Sequence, residues 1–361
     1  MLKLEFSVAS CVRATSKLSN CTKCVDVCPV STIEIVDNIP AFTPSVCIDC
    51  GGCVVVCPTE AFSLRDFSSV NFFFDFLESK ETLLACKTEI PCLSVLSVEH
   101  LISLALTSDE PLVMNVEGCS CGGDSDRLTN QIKANIEEVN FILESFSDKK
   151  ILIDKFESKA IENETISNRR SLFSLKEVLK NKKSFDEAVK ADELKAFELD
   201  SEVISKIKNK NIPDKRKLLF SVLKRVERPQ KYDVLASEDI SFTSQKFIEE
   251  SCTNCQICYR ICPTGTLSSD TKFSVINFDS MMCLKCHLCH DVCEPNAIKI
   301  QAGFEIKEFF EPTQRVLADF DIRRCNECGN YFTYTSGLVE CMRCKIEENE
   351  AMELHTNPKF F

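Results

Sequence analysis

Runs of 18 or more apolar residues are missing from this 361-residue chain, so it offers no segment able to span a bilayer as a helix. The first 30 residues also lack an apolar signal core, and a cytoplasmic protein is expected. Positive charge is in deficit. Lys and Arg total 43 against 55 Asp and Glu, and the formal charge of −12 is opposite to what binding nucleic-acid phosphates requires. No G-x-G-x-x-G follows a strand and no P-loop occurs, so a flavin, nicotinamide or nucleotide site has no support. The ordered C-x3-C-x2-C of radical-SAM enzymes is absent as well. Histidine is scarce, with only His100, His287, His290 and His355, and neither His100 nor His355 has a partner for nucleophilic or general-base chemistry. Tryptophan is absent while phenylalanine reaches 26, a bias with no functional reading. These absences argue against an enzyme with a catalytic site of its own.

Cysteine is what the chain has in excess: 24 residues, most of them in C-x2-C runs. Such a pattern fits either a secreted disulfide scaffold or a reduced metal-binding protein, and the missing signal core favours reduced thiols and metal. The clearest stretch reads Cys252-x2-Cys255-x2-Cys258-x3-Cys262-Pro263, then Cys283-x2-Cys286-x2-Cys289-x3-Cys293. A [4Fe–4S] cube needs four thiolates; three come from a tight loop, and the fourth is lent across from the other run. Set III is then Cys252, Cys255, Cys258 and Cys293, and set IV is Cys283, Cys286, Cys289 and Cys262. Residues 240–305 resemble a bacterial 2[4Fe–4S] ferredoxin, with one departure: Cys293-Glu294-Pro295 stands where the family has Cys-Pro. His287 and His290 follow Cys286 and Cys289, where they read as side chains turned away from a cluster or hydrogen-bonding near a sulfide.

Residues 1–68 repeat the theme with Cys21-x2-Cys24-x3-Cys28-Pro29 and Cys47-x2-Cys50-x2-Cys53-x3-Cys57-Pro58. Segments after each run line up as well, among them Pro58-Thr59-Glu60-Ala61-Phe62 and Pro263-Thr264-Gly265-Thr266-Leu267, so two such modules are expected. The first run is irregular, because Leu18 occupies the place of a cysteine, and Cys11 is the only thiol upstream. Set I would be Cys11, Cys21, Cys24 and Cys57, and set II Cys47, Cys50, Cys53 and Cys28. The rival is a [3Fe–4S] cluster on three cysteines with Cys11 free.

From residue 69 to 147 the pattern alternates strand and helix, as in a small α/β unit. It carries Cys86, Pro91-Cys92 and Gly118-Cys119-Ser120-Cys121-Gly122-Gly123. This region resembles the delta-type iron–sulfur subunit of methyl-viologen-reducing hydrogenases, which implies a [2Fe–2S] cluster on Cys86, Cys92, Cys119 and Cys121. The Cys119-x-Cys121 pair is tighter than that family's spacing, and a zinc site or plain strand-end cysteines stay open. Residues 148–239 hold no cysteine and read as a helical connector of mixed, solvated charge, clearest from Pro213 to Val226, where Leu218, Leu219, Val222, Leu223 and Val226 share a face. In the 306–361 tail, Cys325-x2-Cys328 and Cys341-x2-Cys344 flank a hairpin expected over Tyr331 to Val339, and four thiolates at that spacing suit zinc in a zinc-ribbon-like unit. A rubredoxin-like iron or a further cluster are its alternatives.

The expected class is α+β: two ferredoxin-like dicluster modules flanking a small α/β domain and a helical connector, with a zinc-ribbon-like tail. One-electron centres without a site for organic chemistry point to an electron carrier with a redox protein partner, and the resemblances suggest hydrogenase or formate dehydrogenase. The alternative is an accessory or maturation factor for such an enzyme.

Overall fold

The computed structural model describes residues 4–86, 90–116, 124–153, 210, 212–335 and 337–356. Cys119, Cys121 and most of the expected connector lie outside the described residues.

The two cysteine-rich modules are built alike. In the first, Leu4–Phe6 pairs antiparallel with Phe62–Leu64, and Ile33–Val36 forms a hairpin with Ile39–Phe42. In the second, Lys246–Ile248 pairs with Ile298–Ile300, and Leu267–Ser268 pairs with Val275–Asp279. Each module carries a pair of short helices that open inside its cysteine runs, Lys23–Val27 and Gly52–Val56 in one, Ile257–Ile261 and Leu288–Asp291 in the other. The second module takes a further strand, Gln314–Asp319, from beyond the boundary expected at 305, paired with Val275–Asp279.

Between them sits a parallel sheet of Leu83–Ala85, Leu112–Asn115 and Ile151–Ile153, in chain order. Its third strand falls past the boundary expected at 147. The connecting helices are Val98–Thr107, closed at its start by a Ser97 and His100 capping box, and Ser125–Glu144, capped by Asp124. Leu128, Ile132, Ile136, Val139 and Leu143 recur at three- and four-residue intervals and are buried, as a helix with one core face requires.

The helix Asp214–Leu223 locks the modules together. Leu218, Leu219, Val222 and Leu223 are buried as their spacing predicts, with Pro213 one position earlier than expected, as the cap. The Glu60 carboxylate of the first module accepts from the Asp214 and Lys215 amides at 2.8 and 3.1 Å, placing an acid where the helix needs one. Its Lys and Arg are not on a solvated face. Lys215 Nζ donates to the Val55 and Cys57 carbonyls. Arg216, 0% exposed, pairs with Glu99 of the α/β unit at 2.5 Å and donates to the Phe242, Cys283 and Met281 carbonyls. One guanidinium thus ties the α/β unit to the second module. A continuous core runs from Leu4 and Phe62 through Phe72, Phe76 and Leu101 to Leu219, Phe304 and Phe309. The second module keeps a separate small core of Leu267, Ile276, Phe278 and Ile298.

In the tail, Ile322–Arg324 pairs with Tyr331–Thr333, so the hairpin encloses the first cysteine pair instead of following it.

Candidate metal centres

Three of the four runs wrap their loop in the same way. The residues before and after the second cysteine have positive φ: Asp49 and Gly51, Asn254 and Gln256, Lys285 and His287. Left-handed residues on both sides of a cysteine curl the backbone around one point. The space there is tight, since a Cβ on Gly51 would meet Val95 Cγ1 at 2.5 Å. In the irregular first run Thr22 has φ −124° and the helix begins at once, while Leu18 is 61% exposed and faces no site.

Burial pushes Cys24 up to about 12, and the charges of Cys21, Cys57 and Cys11 add to it. Cys11 is buried and packs with Cys57 and Ala61. Burial, then the charges of Cys50, Cys47, Cys24 and Cys28, raises Cys53. Burial, then Cys252, Cys255 and Cys293, lifts Cys258 to about 12. Cys286 rises for the same first cause, with Cys262, Cys283 and Cys289 beside it. A cavity lies among Cys262, Cys283, Cys286 and Cys289 and has Lys246 and His287 on its wall. Amides of Ala61 and Ala297 donate to the sulfurs of Cys57 and Cys293 at 3.2 Å each, contacts that favour a thiolate. Each set includes at least one buried cysteine, and thiolates gathered at one point are tolerable only around a positive centre, which the donor sets fit and which iron would supply.

The sets are neighbours in a row. Val12, Leu288 and Val292 form a small apolar cluster between the modules, with Cys21, Cys286 and Ile261 packed on it. Beside it the Asn20 amide donates to Asp291 at 3.1 Å. Set I therefore faces set IV across three side chains.

Ser94 Oγ donates to the Cys50 carbonyl at 2.7 Å and lies 3.2 Å from Cys92 Sγ, which puts Cys92 against set II. The Leu93 amide donates to Cys86 Sγ at 3.2 Å.

In the tail, the sulfurs of Cys325, Cys328, Cys341 and Cys344 all lie within 4.8 Å of one another. Backbone N–H groups, that of Cys328 first, bring the Cys325 thiol down to about 6, ready for a metal. The tail leans on set III, where Asn254 Nδ2 donates to Thr333 Oγ1 at 3.0 Å.

Sequence reasoning missed the buried cations. Lys215 and Arg216 read as surface charge, and Lys246 carried no motif. His290 Nε2 lies 2.8 Å from Lys246 Nζ, and burial, then that charge, holds its pKa down to about 3.

Comparison with known proteins identifies 4Fe-4S dicluster domains over residues 19–61 and again over 245–294. The curated relatives include the "Ferredoxin 7Fe" of Hydrogenibacillus schlegelii, 48% identical over 44 residues, which are 12% of this chain and 56% of that protein. A "Ferredoxin" of Rickettsia felis is 37% identical over 62 residues, 16% of this chain and 57% of its own length. The chain thus spans little more than half of each relative. No solved structure matches. Among the described residues no helix is long and apolar enough to cross a membrane. Residues 19–61 and 245–294 are two bacterial ferredoxin-type [4Fe–4S] dicluster domains.

Proposed function

We propose that the chain relays single electrons between protein partners, with its four cysteine sets in the order II, I, IV, III. The observation that carries this reading is the shared apolar contact of Cys21 and Cys286 on Val12, Leu288 and Val292. It supports a reading in which the two modules stand in series. Each [4Fe–4S] cluster, when bound, takes up and gives back one electron. The chain's own residues do the rest: the thiolates of sets I to IV would hold the clusters, the apolar cluster keeps water from the module junction, Lys215 holds the helix Asp214–Leu223 to the first module, and Arg216 ties the α/β unit to the second.

The name of the Hydrogenibacillus relative favours attention to set I, because a seven-iron protein falls one iron short of two cubes. Cys11, beside Cys21 and Cys24, supports a complete cube here. For the tail, four convergent thiolates support one structural zinc. Cys86 and Cys92 support a [2Fe–2S] site only together with Cys119 and Cys121. The partner class that the resemblance suggests is a hydrogenase or formate dehydrogenase, in a cytoplasmic setting that keeps thiols reduced.

Anaerobically purified protein should contain about 16 iron atoms, or about 18 with a [2Fe–2S] cluster. The deciding test isolates the partner enzyme from cells lacking this chain. Full cofactor and full dye-linked activity, with only the physiological electron route lost, supports a relay. A cofactor-deficient partner sinks it in favour of a maturation factor.

A further inference from the structure

Lys246 is the most unusual side chain near a cysteine set. It is 3% exposed, and its ammonium lies 2.8 Å from His290 Nε2. Among the described residues no carboxylate forms an ion pair with it. Its side chain lines the cavity enclosed by Cys262, Cys283, Cys286 and Cys289.

The internal repeat supplies a control. Lys246 stands opposite Ile300 at the end of its strand pair, and the matching pair in the first module is Leu4 opposite Leu64. Leu4 is 5% exposed, so one position of one fold is a buried leucine in the first module and a buried lysine in the second. Burying an ammonium without a counter-charge is costly, as it is for any desolvated ion. The nearest concentration of negative charge is the four thiolates of set IV.

We propose that Lys246 is a positioning residue for redox potential: its ammonium raises the potential of the set IV site above that of set III. This rests on the reading that set IV holds a [4Fe–4S] cluster. Reduction adds one electron and one negative charge at the site, from a low-potential one-electron protein donor. No bond forms or breaks. A fixed cation favours the more negative state, since the Coulomb gain grows with the added charge and is large where water is excluded. The first module has no counterpart at Leu4, so its set II lacks this bias. Within the second module the electron then rests on the side that faces Cys21 and the first module.

The test is a redox titration of the full-length anaerobic protein, followed by electron paramagnetic resonance. Lys246→Met should leave the iron content unchanged and lower one midpoint potential by at least a tenfold change in equilibrium constant, about 59 mV for one electron. Lys246→Arg, which keeps the charge, should stay close to the parent value. A Met variant with full iron and an unshifted titration overturns the proposal. Should that variant lose iron, the parent protein still decides: Cys286→Ser must alter whichever signal of the second module is reduced first, and altering the later one overturns the proposal. If Cys286→Ser changes neither iron nor any signal, the ligand reading itself has failed, a result distinct from either outcome for Lys246.

Discussion

The first dicluster module and the second share a cysteine plan and differ in what holds it. In the first, Leu4, Phe62 and Leu64 belong to a core that continues into the α/β unit, and Val95 of that unit sits on the Gly51 loop. In the second, a small core of Leu267, Ile276, Phe278 and Ile298 closes on the cysteines themselves. The first has an irregular run, with Cys11 upstream at the start of a short helix; the second has regular runs and a buried lysine in place of Leu4. The loop geometry around the thiols therefore does not depend on one scaffold. What varies is how firmly each module is tied to its surroundings, and that difference can be broken at chosen points.

The largest effect is expected at the tie itself. Arg216→Met leaves Glu99 charged and buried, and removes a donor from the carbonyls of Phe242, Met281 and Cys283. Breaking one side of a buried pair costs about 3–5 kcal/mol. Anaerobic denaturant unfolding should show that loss. The exposed pair of Arg228 and Glu311 is the control, and Arg228→Ala should cost less than about 1 kcal/mol. Equal effects of the two changes would mean that Arg216 does not tie the α/β unit to the second module.

Next comes the irregular run. Cys11→Ser should convert one cube to a three-iron species or lose it, with the other three intact. Cys252→Ser in the regular module should do the same to a different signal. If Cys11→Ser leaves iron content and spectrum unchanged, Cys11 is a spectator and the two modules differ in cluster type as well as scaffold.

The tail tests a metal that neither module uses. A small unit with four convergent thiolates draws its folding energy from the ion it binds. Chelation of the full-length protein should remove about one zinc per chain and raise hydrogen exchange over Ile322–Arg324 and Tyr331–Thr333, with cube absorption unchanged. Protein that contains no zinc as purified would end the assignment.

Much of this arrangement was legible because metal ligation fixes spacing. A loop that delivers three thiolates to one point leaves a C-x2-C-x2-C signature, and the proline after Cys28, Cys57 and Cys262 marks where those runs end. The α/β unit and the helix after Pro213 were legible from periodicity, since their apolar residues recur on one face. The order of the sets was not. It depends on Val12 meeting Leu288 and Val292 across roughly the whole chain, and apolar residues meeting at long range carry no local pattern. Nor were the buried cations, because a lysine or arginine on a helix reads the same whether its carbonyl and carboxylate partners come from water or from another module. The displaced domain limits have a similar cause: Ile151–Ile153 and Gln314–Asp319 are single strands completed only by sheets formed earlier in the chain.

The smallest expected effect concerns the polar rim of the module junction. Asp291 accepts from the Asn20 amide at 3.1 Å and from its Nδ2 at 3.4 Å, and both bonds are exposed. Water replaces exposed hydrogen bonds readily, so Asp291→Ala should cost less than about 1 kcal/mol. The buried side of the junction is untouched by this change, because Val12, Leu288 and Val292 remain in place. Magnetic coupling between the reduced sites of the two modules should therefore persist in Asp291→Ala, whereas Leu288→Ala, which opens a void under Cys21 and Cys286, should weaken it. Loss of coupling in Asp291→Ala with native stability would show that the polar rim, and not the apolar contact, sets the distance between set I and set IV.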